Sequence, residues 1–133
     1  MSYPKEHIEY IGEIGGELRQ KLISEARALL VFSMMTQGPW GDIWCEPGST
    51  VVSESAASGT PIISSDNGCL KEIVPNVGTV IHETTITQLS DEECRNIVNN
   101  LPNPEIVYRN AIIQWHYLKI TSLYLNYFKE ILN

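Results

Sequence analysis

The sequence predicts an α/β domain: a partial, doubly wound parallel sheet of about four strands, with flanking helices and a long C-terminal helix. Three observations carry this expectation. Short apolar segments alternate with stretches of helical periodicity, the connections between them are brief, and everything beyond residue 84 reads helical.

Taken in order, residues 7–11 alternate apolar and polar side chains and close on Gly12, the pattern of a short strand. From Glu17, the spacing of Leu18, Leu22, Ile23, Ala26 and Leu29 predicts a helix. Leu29-Leu30-Val31-Phe32 is then a continuous apolar run, which suits a strand buried on both faces. Ser49 or Thr50, both good N-cap types, opens a helix that runs through Val51, Val52, Ala56 and Ala57 and stops at Gly59. Pro61 opens a strand over 62–64 at the position where its missing N–H does least harm. Residues 78–81 form another strand. A helical element is expected over 85–99, then a break at Pro102 and Pro104, then one long helix over 105–132.

At 133 residues, with 43% apolar and 19% charged residues, the chain can bury one core, and one domain is expected over 1–133. Its core lies at 7–82 and its C-terminal helices at 84–132. A net charge of −7 and a pI near 4.8 provide no field that attracts nucleic acid or an anionic lipid surface, so an anionic ligand must be held by local donors. No apolar run is long enough to span a bilayer and residues 1–6 lack the pattern of a signal peptide, so the expected location is cytoplasmic. Cys45, Cys69 and Cys94 are an odd number with no close pair; they are expected as reduced thiols, neither a disulfide scaffold nor a zinc site.

In a doubly wound sheet, ligands sit beyond the C-terminal ends of the strands, which singles out the loops at 34–49 and 65–71. The first ends in Glu46-Pro47-Gly48-Ser49 and runs straight into a helix. Free backbone N–H groups at that helix start, with the positive end of the macrodipole, would receive a phosphate or sugar oxygen. Glu46 would sit just outside the N-terminus and Glu54 about one turn within it, and carboxylates accept strongly from hydroxyl donors. Taken alone, the two glutamates also read as ordinary acids favoured by the dipole.

The whole segment adds to this. Glu46-Pro47-Gly48-Ser49-Thr50-Val51-Val52-Ser53-Glu54, followed by Ala56-Ala57-Ser58-Gly59-Thr60-Pro61-Ile62-Ile63, resembles the donor-binding signature of retaining glycosyltransferases of the GT-B fold, the glycogen-synthase-like family. Asp66-Asn67-Gly68-Cys69-Leu70-Lys71-Glu72-Ile73-Val74 is similar to that family's next loop, and Gly78-Thr79-Val80-Ile81 to the strand after it. Ile8-Glu9-Tyr10-Ile11-Gly12 and Ala26-Arg27-Ala28-Leu29-Leu30-Val31-Phe32 also fit. The resemblance covers residues 7–82 and implies a Rossmann-like sheet and a hexosyltransferase activity. It assigns Glu46 to the donor sugar's hydroxyls, the backbone amides of Gly48, Ser49 and Thr50 to the same sugar, and Glu54 to the ribose of a nucleoside-diphosphate sugar. It implies no metal and no cofactor other than that donor substrate, and it points to no catalytic side chain in this chain.

The chain departs from the family at two positions. Gly48-Ser49 stands where Phe-Gly is usual, which leaves donor preference open, and Lys71 replaces a proline before Glu72. Lys71 reads either as a group approaching a phosphate or as a solvated surface residue. The family's first two donor-domain strands, with the basic residues that neutralise the diphosphate, have no counterpart here, so the resemblance implies the second half of a donor-binding domain, truncated and incomplete alone. Either the 7–11 strand shifts beside 29–32, or a second chain fills the gap.

The C-terminal helix bears on that choice. Ile113, Tyr117, Ile120, Tyr124, Tyr127 and Ile131 follow one helical stripe, and Trp115, Leu118, Leu125, Phe128 and Leu132 widen it. One side is expected to cover the sheet and another to meet a partner, giving a homo-oligomer; a wholly internal helix is the other reading. His7, His82 and His116 have no ligand spacing. Trp40 and Trp44 read as sugar-stacking groups or as core residues, and Asp42 as a hydroxyl acceptor or a turn residue. Two functions therefore stand: the nucleotide-sugar-binding part of a retaining glycosyltransferase, or a non-catalytic module that keeps the fold and docks a partner through its last helix.

Overall fold

The computed structural model describes residues 7–34, 36–37 and 43–132. Its elements are α1 (Gly16–Glu25), β1 (Leu29–Val31), β2 (Thr36–Gln37), β3 (Ile43–Trp44), α2 (Thr50–Ala57), β4 (Ile62–Ser65), α3 (Leu70–Ile73), β5 (Gly78–Ile81), α4 (Asp91–Asn99), α5 (Pro104–Trp115) and α6 (Tyr117–Leu132). β1, β4 and β5 form a parallel sheet in the order β1-β4-β5, with Leu29 opposite Ile62 and Ile62 opposite Gly78. The α/β class with a parallel sheet, flanking helices and a long C-terminal helix is as expected from the sequence.

Among the described residues the parallel sheet has three strands, one fewer than the sequence suggested. Residues 8–11 carry no regular structure, and Ile8 and Tyr10 are 70% and 93% exposed. Alternation of side chains proposes a strand, but only a neighbour's hydrogen bonds sustain one, and the described part of the sheet pairs no strand with this segment. A short antiparallel pair, β2 with β3, occupies what reads in the sequence as loop.

Strand alternation puts Leu29, Val31, Ile62 and Val80 on one face. There they meet Val52 and Ala56 of α2, Leu70, Val74 and Val77 around α3, and Val107 and Ala111 of α5. Ile62, Val52, Leu70, Val74, Val77 and Val107 are completely buried, so this face holds the core. The turn from α2 to β4 is fixed by polar groups that satisfy one another. Gly59 turns the chain at φ +77°, Ser55 Oγ donates to the Thr60 carbonyl at 3.0 Å, and Thr60 Oγ1 donates to the Ile23 carbonyl of α1 at 2.7 Å. On the opposite face, Leu30, Phe32, Ile63 and Ile81 meet Ile97 and Val98 of α4 around an apolar cleft of about 240 Å³.

The helices after β5 are more divided than periodicity suggests. Residues 86–88 make a separate 3-10 turn, and α4 starts at a capping box in which Ser90 and Glu93 exchange side-chain and backbone hydrogen bonds. The break at Pro102 and Pro104 is present: Asn103 caps α5, and Pro104 occupies its first turn. The expected single helix over 105–132 is two helices. His116 adopts extended backbone, φ −60° and ψ 126°, between α5 and α6. Substitute hydrogen bonds at the two helix ends offset part of the cost of the break. Lys119 Nζ donates to the Ile113 carbonyl at 2.8 Å, and the His116 ring and carbonyl accept from Leu118, Lys119 and Ile120 N–H groups. The sequence expectation that one side of the final helix covers the sheet is met differently: α5 packs chiefly on α2, and α6, whose main neighbour is α5, contains no buried residue.

Candidate functional site

Two strand exits build the site. The chain leaves β1, passes through β2 and β3, and reaches α2 through residues 45–49, which have no regular structure. The chain leaving β4 at Ser65 passes through Asp66, Asn67, Gly68 and Cys69 into α3. Ser65 Oγ donates to the Ser33 carbonyl, tying the two exits together at their base.

Higher up, the β4 loop grips the backbone of Glu46 from both sides. The Glu46 N–H donates to Asn67 Oδ1 at 3.1 Å, and the Cys69 N–H donates to the Glu46 carbonyl at 2.9 Å. Gly68 allows this approach. Its φ is +55°, and a Cβ there would fall 2.2 Å from the Glu46 oxygen. The loop is anchored in turn to the end of β5: Asp66 Oδ1 accepts from the Glu83 N–H at 2.9 Å, and Asp66 Oδ2 lies 3.4 Å from His82 Nε2. Asn67 is 3% exposed, and among the described residues its Nδ2 is buried without a hydrogen-bond partner, as is Ser64 Oγ.

Glu46 therefore has a fixed backbone and a half-buried side chain just ahead of α2. Gly48 is exposed, Ser49 is the N-cap residue with extended backbone, and Thr50 is the first helical residue. No side chain caps this end. Of the first-turn amides, Val52 N–H donates to the Ser49 carbonyl at 3.3 Å, while those of Thr50 and Val51 make no hydrogen bond among the described residues and lie at the positive end of the dipole.

Glu54 lies one turn further along and faces α1. Arg19 Nη2 donates to its Oε1 at 3.1 Å, across a cleft of about 500 Å³ lined by Glu17, Arg19, Lys21, Glu54 and Ser58 among others. Arg19 and Glu54 are 47% and 38% exposed, so solvent screens the pair and it adds at most about 1 kcal/mol. No hydrogen bond or ion pair joins Glu46 to Glu54 among the described residues. The Glu46 backbone is held by the β4 loop and the Glu54 side chain by α1.

Lys71 stands exposed on α3. Trp40 and Asp42 lie outside the described residues, and Trp44 belongs to β3. Cys45, Cys69 and Cys94 are free thiols, and no group of three metal-ligating side chains occurs among the described residues. No helix there is long and apolar enough to cross a membrane. Sequence reasoning missed Asn67, Arg19 and the Asp66–His82 contact. Asn67-Gly68 is a turn-forming pair that signals a loop but not its partner, and Arg19 had no signal at all, being 35 residues from Glu54.

The parallel α/β sheet, with its strand-exit loops gathered at a helix start, together with the likeness to a solved glycosyltransferase, makes this a glycosyltransferase-like domain. Along 93% of its length the chain is similar to AviGT4, a glycosyltransferase involved in avilamycin A biosynthesis, with 45% identity to the crystal structure and a TM-score of 0.84. The chain spans 36% of the length of that protein. No protein-family model matches the chain, nor does any curated protein.

Proposed function

We propose that this chain is the nucleotide-sugar-binding part of a retaining glycosyltransferase of the GT-B type, the second half of its donor-binding domain, transferring a hexose to an acceptor. One observation carries the reading: the segment from Glu46 to Glu54 runs from a clamped loop into a helix whose Thr50 and Val51 amides are unbonded among the described residues, beside a cleft that holds Glu54. In this reading the Glu46 carboxylate accepts from donor-sugar hydroxyls, the backbone amides of Gly48, Ser49 and Thr50 donate to sugar oxygens, and Glu54 exchanges its Arg19 partner for the ribose hydroxyls. No metal takes part. A cytoplasmic location goes with this reading.

Calorimetric titration with UDP- and GDP-sugars tests it. Weak binding is expected, because the resemblance places the basic residues that neutralise the diphosphate in the two family strands with no counterpart here, and the Glu54→Ala variant should abolish it. Robust transfer by the purified chain alone would contradict its role as an incomplete donor site, and silence toward every nucleotide sugar would remove the reading.

One observation favours a second reading, a non-catalytic assembly module. α6 buries nothing yet exposes Tyr117, Leu118, Leu123, Tyr124, Phe128 and Leu132, each by more than half. In that reading α6 docks a second copy or a partner chain beside the sheet. If Glu46→Ala and Glu54→Ala leave the biological role intact, the second reading prevails, and a monomer by sedimentation at micromolar concentration would count against self-association.

A further inference from the structure

Between β3 and α2, residues 45–49 have no ladder or helix to fix them, so the position of Glu46 depends on its two backbone hydrogen bonds. One is backbone to backbone, from Cys69. The other ends on a side chain, Asn67 Oδ1, and that side chain is 97% removed from solvent, so water does not replace it when it is lost.

The other half of the Asn67 amide sharpens the point. Among the described residues Nδ2 is buried with no acceptor, which costs free energy that an apolar side chain of similar volume would avoid. Reversing the amide would worsen matters, setting a donor against the Glu46 N–H. Core packing alone therefore does not account for asparagine here; what this residue contributes that an isostere such as leucine would not is an acceptor for Glu46. Asp66, bonded to the Glu83 N–H and beside His82, holds the preceding residue against the end of β5, so the acceptor rests on the sheet rather than on a free loop.

We infer that Asn67 is a positioning residue for the sugar end of the site: it fixes the Glu46 backbone, and through it the Glu46 carboxylate and the approach to α2, without touching ligand itself. The inference rests on the nucleotide-sugar reading above. It makes a selective claim, because Glu54 and the cleft beside α1 are held by other contacts. Loss of Asn67 should weaken recognition of the sugar and leave recognition of the nucleotide in place.

The test compares UDP-glucose with UDP, and GDP-mannose with GDP, on the full chain and on Asn67→Leu, Asn67→Ser and Asn67→Asp. Leucine removes the acceptor, serine keeps a polar group too short to reach Glu46, and aspartate keeps an acceptor of the same shape. Asn67→Leu and Asn67→Ser should raise the Kd for the bound sugar nucleotide roughly three- to tenfold and shift UDP or GDP by less than about twofold, the scale of one lost hydrogen bond. Asn67→Asp keeps the acceptor but buries a carboxylate, so its readout is the Glu46 amide and not the binding difference. Amide exchange provides a readout independent of ligand: the Glu46 N–H should be protected in the wild type and in Asn67→Asp, and unprotected in the other two.

Equal weakening of sugar nucleotide and free nucleotide would reduce Asn67 to a structural residue and overturn the inference, as would unchanged binding by Asn67→Leu. If the wild-type chain binds none of the four ligands, the nucleotide-sugar reading fails and this role fails with it. Amide exchange then still reports whether Asn67 fixes Glu46. Binding by the wild type with a protected Glu46 amide in Asn67→Leu would sink this inference alone.

Discussion

Replacing Gly68 with alanine should cost this protein a large part of its stability. The left-handed backbone at Gly68, φ +55°, costs an L-residue about 1–2 kcal/mol. The new Cβ would lie 2.2 Å from the Glu46 oxygen and 2.7 Å from its nitrogen, contacts with backbone that no rotamer change relieves. Relief requires the loop to retreat by about 1 Å, which stretches the 2.9 Å bond from Cys69 and the 3.1 Å bond to Asn67 beyond hydrogen-bond range. Each such bond contributes about 0.5–1.5 kcal/mol. Together the loss is about 2–5 kcal/mol, and with a urea dependence of about 2 kcal/mol per molar the unfolding midpoint should fall by about 1–2.5 M. Equilibrium unfolding in urea measures this, with Gly48→Ala as the control. Gly48 has an ordinary φ and nothing within 4 Å of its would-be Cβ, so that variant should stay within about 0.5 kcal/mol of wild type. If Gly68→Ala unfolds at the same urea concentration as Gly48→Ala, the clamp on Glu46 does not exist as described.

Leu70→Ala, at a completely buried position at the start of α3, should lower unfolding stability by about 2–5 kcal/mol; a loss below about 1 kcal/mol would mean that the core is not closed there. Hydrogen bonds from the Ser90 hydroxyl, and then from its backbone N–H, hold the exposed Glu93 carboxyl below the usual glutamate range. A depressed carboxyl stabilises the fold above its unfolded pKa and loses that contribution as pH falls through the folded one. The stability gap between wild type and Ser90→Ala should therefore narrow on acidification below the ordinary glutamate range, and a gap that widens there would contradict the assignment. Leu123→Asp combined with Tyr124→Asp, on the exposed face of α6, should leave the unfolding free energy within about 0.5 kcal/mol and, on the reading in which α6 docks a second copy, shift sedimentation toward monomer; a large loss of stability would place α6 in the core.

Much of the fold was legible because the rules that set it are local. Strands were expected over 62–64 and 78–81 and occur as Ile62–Ser65 and Gly78–Ile81; the helix expected from Ser49 or Thr50 begins at Thr50, and the break at Pro104 is where proline chemistry puts it. The failures are non-local. The 7–11 alternation finds no partner strand, the β2–β3 pair closes across residues that read as loop, and the last helix divides at His116, where side chains and carbonyls supply substitute hydrogen bonds that periodicity does not register.

By itself, the sequence determined the α/β class, the core strands, the likeness to glycosyltransferases and the stretch from Glu46 to Glu54 as the candidate donor segment, because each is written in neighbouring residues. Only the tertiary structure decided which groups hold that segment. Asn67 reaches Glu46 from 21 residues away and Arg19 reaches Glu54 from 35, and in both cases the partner is chosen by how the loops and helices pack around the β1-β4-β5 sheet. Hydrogen bonds and ion pairs act over a few ångströms of space whatever the separation along the chain, so no local pattern announces them.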